Sequence, residues 1–134
     1  IDLGDGISLK TTHNNHPGGG LSYRLDYDGR SCCYITDTEH YPEIDQNLCK
    51  FISNAGLVIY DAHFTDEEYP RYVGWGHSTW QEGIKLIETA GANRLVLFHH
   101  ANFRSDREME IIEQHAQTRK STCVAAREGM VINL

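Results

Sequence analysis

Apolar and polar positions alternate with a period of two early in the chain and shift to a helical period further on. Ile7, Leu9 and Thr11 oppose Ser8, Lys10 and Thr12, which predicts a half-buried strand over residues 7–12. The polar stretch THNNHPGGG ends it, because Pro17 fixes one backbone angle and the three glycines allow close backbone approach. Alternation resumes with Leu21, Tyr23, Leu25 and Tyr27 on one face and Ser22, Arg24 and Asp26 on the other. Asp28-Gly29 follows, a pair suited to a type I′ turn, so residues 21–35 are expected to form a β-hairpin.

Ile44, Leu48, Phe51 and Ile52 then recur at helical spacing, predicting a helix over 44–55 closed by Gly56 as its C′ residue. Leu57 to Tyr60 is a short buried strand, and Ala62 to Gly76 an irregular connection of the kind that lines a site. Ser78 with Gln81 has the spacing of a capping box, which starts a helix through Trp80, Ile84 and Ile87 to Gly91. After a strand over Arg94 to Phe98, Ser105 with Glu108 makes a second capping box for a helix to about Arg119. Thr122–Ala126 and Met130–Leu134 flank Glu128-Gly129 and predict a closing hairpin. Paired strands first and β/α alternation later imply an α/β fold, a mixed sheet with covering helices.

Composition narrows the function classes. At 134 residues the chain is one domain at most, and its net charge of -7, with Arg and Lys scattered singly, shows no nucleic-acid footprint. It contains neither a membrane-span-length apolar run nor a signal-peptide pattern, so a soluble cytoplasmic protein is expected. Cys32, Cys33, Cys49 and Cys123 form no CxxC pair and are read as reduced, packed thiols. The chain opens on Ile1 in mid-pattern, which suggests a piece of a longer polypeptide.

The candidate chemistry lies where the predicted strands stop. The run Cys32 to Ile35 leads into Asp37, Leu57 to Tyr60 into Asp61, and Leu95 to Phe98 into His99 and His100. His16 follows the first strand, and His77 precedes a helix. His16, Asp37 and His99 are the candidate ligands, because zinc, manganese and iron accept imidazole nitrogen together with carboxylate oxygen. The alternative is ordinary: a solvated loop histidine and an aspartate capping a turn.

The ordered series HPGGGLSYRLDYDGRS, CYITDTEH, LVIYDAHFTDEEYP, GWGHSTW, LVLFHH and AAREGMVINL resembles the second half of the metallo-β-lactamase-fold hydrolases. Within them it is most similar to the branch of ribonuclease Z enzymes and small phosphodiesterases. The resemblance implies an αββα sandwich, with residues 1–134 as the C-terminal half of such a domain, and two divalent metal ions, zinc or else manganese or iron. It implies metal ligation by His16, Asp37 and His99, with Asp37 bridging the ions, and catalytic roles for Asp37 and for His77 of the HST motif. Glu39, His40, Asp61, His63 and His100 are expected as outer or pocket residues of that site. The HxHxDH motif that supplies the remaining ligands is absent, and Ala101-Asn102 stands where relatives commonly carry an acidic residue.

Ribonuclease Z enzymes hold transfer RNA with an arm inserted between the histidine and aspartate that His16 and Asp37 resemble. Only about 20 residues lie between these two, and the hairpin occupies them. The expected substrate is therefore a small phosphodiester resembling a cyclic nucleotide, with the chain carrying half the site. Two alternatives stand beside it: a non-catalytic half-domain for binding or assembly, and a thioester or lactone hydrolase on the same scaffold. A bare inner sheet face would seek a missing N-terminal half or a homodimer partner.

Overall fold

The computed structural model describes residues 1–134 and contains one six-stranded mixed sheet. Its strands are β1 (Ser8–His13), β2 (Leu21–Tyr27), β3 (Arg30–Ile35), β4 (Leu57–Asp61), β5 (Arg94–Phe98) and β6 (Cys123–Ala125). They lie side by side in chain order. The β1–β2 and β2–β3 pairs are antiparallel, with Asp28-Gly29 turning the chain between β2 and β3 as expected. From β3 onward every pairing is parallel, and the crossovers carry α1 (Gln46–Phe51), α2 (Trp80–Ala90) and α3 (Asp106–Arg119).

Successive right-handed crossovers that advance in one direction place their helices on one face of a sheet. The core follows that rule. Cys33, Ile35, Val58, Tyr60, Leu95, Leu97 and Cys123 project from one face and pack with Ile52, Ile84, Ile87, Ile112 and Ala116. On β2 the polar row faces this side, where the Arg24 guanidinium donates 2.9 Å bonds to the carbonyls of Phe51 and Ser53 at the end of α1. The register puts Tyr23 opposite Tyr34, Leu25 opposite Cys32, and Asp61 opposite Phe98 on the other face. There Leu21, Tyr23, Leu25, Tyr34 and Phe98 are exposed, so the apolar row read from the alternation of β2 faces outward.

Four local expectations are corrected. The first helix is shorter than 44–55: Asp45 caps it by accepting from the amides of Asn47 and Leu48, and it closes at Ile52. Gly56 is therefore not its C′ residue; a Cβ there would lie 3.2 Å from the Ser31 carbonyl, so close approach to β3 suits glycine. The N-cap of α2 is Thr79, which accepts from the Glu82 amide, and not Ser78, whose hydroxyl is engaged by Tyr60 and His40. The closing hairpin does not form, because β6 pairs parallel to β5 and residues 130–134 lie outside the sheet ladder. Instead Arg94 holds the Asn133 carbonyl at 2.7 Å and Arg30 the Leu134 carbonyl at 3.0 Å, drawing the last residues across the amino ends of the central strands. The capping box of Ser105 and Glu108 on α3 is present as expected.

No helix is long and apolar enough to cross a membrane. The packing makes two predictions. Leu97→Ala should lower the unfolding free energy by about 2–5 kcal/mol in denaturant titration, since Leu97 is fully buried in the helix-covered core. The bare face should drive self-association of this chain in sedimentation velocity, with Tyr34→Lys returning a monomer; a monomeric unsubstituted chain would contradict it.

Candidate functional site

The parallel register aligns the carboxyl ends of β3, β4 and β5, with Ile35 beside Tyr60, Tyr60 beside Leu97, and Asp61 beside Phe98. Because β1 and β2 are antiparallel to each other, with His13 opposite Leu21, the loop bearing His16 opens at this same edge. Asp37 and His99 follow their strands in the left-handed backbone region, at φ 54° and 58°. That conformation is uncommon for residues other than glycine and costs roughly 1–3 kcal/mol each, a strain found concentrated at functional sites.

Asp61 is the centre of this edge and is wholly buried. One carboxylate oxygen meets His77 Nδ1 at 3.0 Å and His99 Nδ1 at 3.2 Å, and the backbone amides of Thr38, His63 and Ser78 also donate to the group. Burial pushes its pKa up, but the bonds from the two histidines outweigh burial and hold it below the usual carboxylate range. An ionised carboxylate only accepts, so His77 and His99 carry their protons on Nδ1 and leave Nε2 as a lone-pair donor. His63 Nδ1 lies 2.9 Å from the His99 carbonyl, which assigns its proton in the same way.

One ligand atom each from His16, Asp37 and His77 fall within 4.8 Å of one another, and so do one each from His63, His77 and His99. Asp37 also lies 3.6 Å from His99 Nε2, so its carboxylate stands between the two imidazole groups. His63 and His77 stack with ring centres 4.4 Å apart and planes inclined by 15°. Parallel rings at that spacing do not aim their lone pairs at one point, so His63 supports His77 instead of converging with it on a common ion. His16 differs from the others in that its Nδ1 accepts from the Gly18 amide at 3.1 Å. The neutral ring then carries its proton on Nε2, and binding a cation through Nε2 requires that bond to open.

A family model described as "Beta-lactamase superfamily domain" matches residues 4–100. The chain belongs to the beta-lactamase superfamily. It is 37% identical over 81 residues to a ribonuclease Z of Gemmatimonas aurantiaca, a match covering 60% of this chain and 26% of the relative. It is 30% identical over 105 residues to a ribonuclease Z of Porphyromonas gingivalis, covering 78% of this chain and 33% of that one. The solved metallo-beta-lactamase fold protein YhfI from Bacillus subtilis superposes with a TM-score of 0.79 at 21% identity, covering 96% of this chain and 49% of that one. The chain thus spans a third or less of these ribonuclease Z relatives and about half of the YhfI chain.

The structure brings His16, Asp37, His77 and His99 of this superfamily chain together, with Asp61 and His63 in contact with them. Glu39 and His40 sit behind the HST loop: Glu39 accepts from Tyr69, Gly74 and Gly76, and His40 bonds Ser78. Glu39 is raised by burial and lowered further by those donors, leaving it below its ordinary range. His100 is the exception. It turns away to line a cavity between α3 and the residues after β6, beside Arg104, Met109 and Ala126, and burial lowers its pKa. His99 lies past the end of β5 with φ 58°, and this turn of the backbone breaks the strand's course before His100.

Asn14 and Asn15, read only as part of a polar break, stitch the site together. The Asn14 amide donates to the carbonyls of Thr36 and Asp37 at 2.6 and 3.2 Å, while Asn15 and Glu39 exchange bonds near 3 Å. Their side chains close loops by bonding to distant backbone, a habit of Asn that sequence spacing does not reveal. Gly76, at φ 89°, has to be glycine, because a Cβ there would lie 2.2 Å from His16 Cδ2.

The charge pattern fixes a pH response. Asp61 is depressed in the folded chain, so its contribution is complete above the unfolded value of 3.8 and is lost as pH falls through the lower folded value. The Asp61 bond raises His99 against the opposing effect of burial, so that contribution is complete below 6.5 and is lost as pH rises through the raised value. In chelator, the Tm gap between the unsubstituted chain and Asp61→Asn should therefore be widest between pH 4 and pH 6.5 and narrow on both sides. A gap independent of pH in thermal denaturation would contradict the assignment.

Proposed function

We propose that residues 1–134 form the C-terminal half of a metallo-β-lactamase-like domain whose complete site is a divalent-metal phosphodiesterase. The observation that carries this reading is Asp37 standing between His99, at 3.6 Å, and the His16–His77 pair. The donor set fits zinc, manganese or iron: imidazole and carboxylate converge, and Asp61 holds the Nδ1 protons of His77 and His99 as an outer carboxylate does in metal sites. His16, Asp37 and His99 would hold the ions, with Asp37 shared between them. Such ions polarise phosphoryl oxygens and acidify water.

The remaining work falls to this chain's own side chains. Asp61 keeps the His77 proton on Nδ1 and the ring fixed, while His63 stacks against one face of it. A second proton on Nε2 is then the one His77 would deliver to the departing oxygen. Two protein ligands per ion are too few for tight binding, so the other ligands would come from a companion half that covers the bare sheet face. The four cysteines, none of them bonded, suit a reducing compartment such as the cytoplasm.

The substrate we favour is a small phosphodiester of cyclic-nucleotide type, because β2 turns into β3 through Asp28-Gly29 alone and no arm extends there. The ribonuclease Z name of the relatives supports RNA as a second reading. Joined to the companion half, the chain should hydrolyse bis(p-nitrophenyl) phosphate, and Asp37→Ala should abolish both turnover and bound metal. Undiminished hydrolysis by Asp37→Ala would refute the site. His77→Ala should lower kcat by roughly 10²–10⁴ while leaving metal content unchanged, and a substrate panel of cyclic nucleotides against RNA separates the two substrates.

A further inference from the structure

We propose that Trp75 is a rigid stacking platform for the flat base of a nucleotide whose phosphate occupies the neighbouring histidine cluster. The inference deepens the phosphodiesterase reading and rests on it. The chain contains two tryptophans, and they are placed in opposite ways: Trp80 is buried in the core, whereas Trp75 is 62% exposed. An exposed indole on a loose loop would call for no explanation. This one is held on both sides.

The residues flanking Trp75 are Gly74 and Gly76, and their amides donate to the two oxygens of Glu39 at 2.7 and 2.9 Å. Glu39 is itself buried and also accepts from the Tyr69 hydroxyl at 2.6 Å. Both glycines are at positive φ, 88° and 89°, so the loop takes a course that other residues seldom follow. The Trp75 amide donates to the Tyr72 carbonyl at 3.1 Å, and its ring meets Tyr72 edge-on with centres 5.2 Å apart. Tyr72 in turn stacks on Phe64 at 4.3 Å and an inclination of 5°, and Phe64 is fully buried.

A buried carboxylate, two glycines and a ladder of aromatic rings thus fix a large apolar surface that is left facing water. Fixing an indole before it meets its ligand lowers the entropy lost on binding. Its position supplies the ligand class. Gly76, the next residue, presses against His16 and Pro17, and His77 follows it, so the backbone that carries the indole runs beside the cluster. A group that stacks there while its phosphoryl end reaches the histidines is planar and joined to phosphate, as a nucleoside phosphate is. Base–aromatic stacking tolerates any base, so the platform selects for a base and not among bases.

The test uses adenosine 5′-monophosphate and ribose 5-phosphate as probes of this chain, with dissociation constants taken from intrinsic fluorescence and calorimetry. Adenosine 5′-monophosphate should quench the exposed tryptophan saturably and bind tighter than ribose 5-phosphate. Trp75→Ala should weaken adenosine 5′-monophosphate roughly tenfold and leave ribose 5-phosphate unchanged, with Trp75→Phe keeping most of the affinity. Equal affinity for the two probes, an equal loss for both in Trp75→Ala, or no saturable quench overturns the platform. Loss of the quench once the companion half is joined overturns it too, because that half then covers Trp75. Saturable quenching without any phosphodiester hydrolysis by the joined halves would leave the platform standing and sink the phosphodiesterase reading.

Discussion

A single carboxylate with no access to water organises the polar edge of this sheet. Left alone, a buried charge of that kind would cost several kcal/mol. Asp61 avoids the cost by gathering two imidazoles and the amides of Thr38, His63 and Ser78. Those donors come from the segment after β3, from the chain just beyond β4, from the loop before α2 and from the end of β5. Loops that would otherwise be independent are thereby tied to one point, and the orientations of the His77 and His99 rings follow from the bonds made there.

The exposed apolar side chains of the sheet and the cluster of histidines at its edge have a common origin in chain direction. Parallel crossovers that all advance the same way put α1, α2 and α3 behind the sheet, deliver the strand ends to one edge and leave the opposite face without helices, so that Leu57 and Val96 are buried there but Tyr23, Leu25, Tyr34 and Phe98 are exposed. Those exposed side chains and the imidazoles and carboxylates along the margin of the same face lie close enough for one second layer to meet both. A chain that supplied one would complete the hydrophobic packing and the coordination in a single docking event.

Much of this was legible in the residues themselves. Asp28-Gly29 specified a turn, Ser105 with Glu108 specified a cap, and each depends on neighbours close in the chain. Where the reading went astray, a distant partner had intervened. Ser78 has the spacing of a cap but is taken by Tyr60 and His40, which leaves the task to Thr79. Residues 130–134 have the composition of a strand, yet Arg94 and Arg30 draw their carbonyls to the amino ends of the central strands. Asp61 is legible only as one outer residue among several, because nothing local distinguishes a strand-end aspartate that caps a turn from one that two histidines share. The left-handed conformations of Asp37 and His99 had no signal beyond the tolerance of those residue types for it.

The order in which the strands sit has one more implication. Because each strand lies beside its predecessor, every pairing joins segments separated by at most one α-helix and the connections on either side of it. A sheet of this kind can lengthen strand by strand as the polypeptide leaves the ribosome, without waiting for distant sequence to be made. The growing edge is always the newest strand, and each helix can fold back over the layer behind it before the next one emerges.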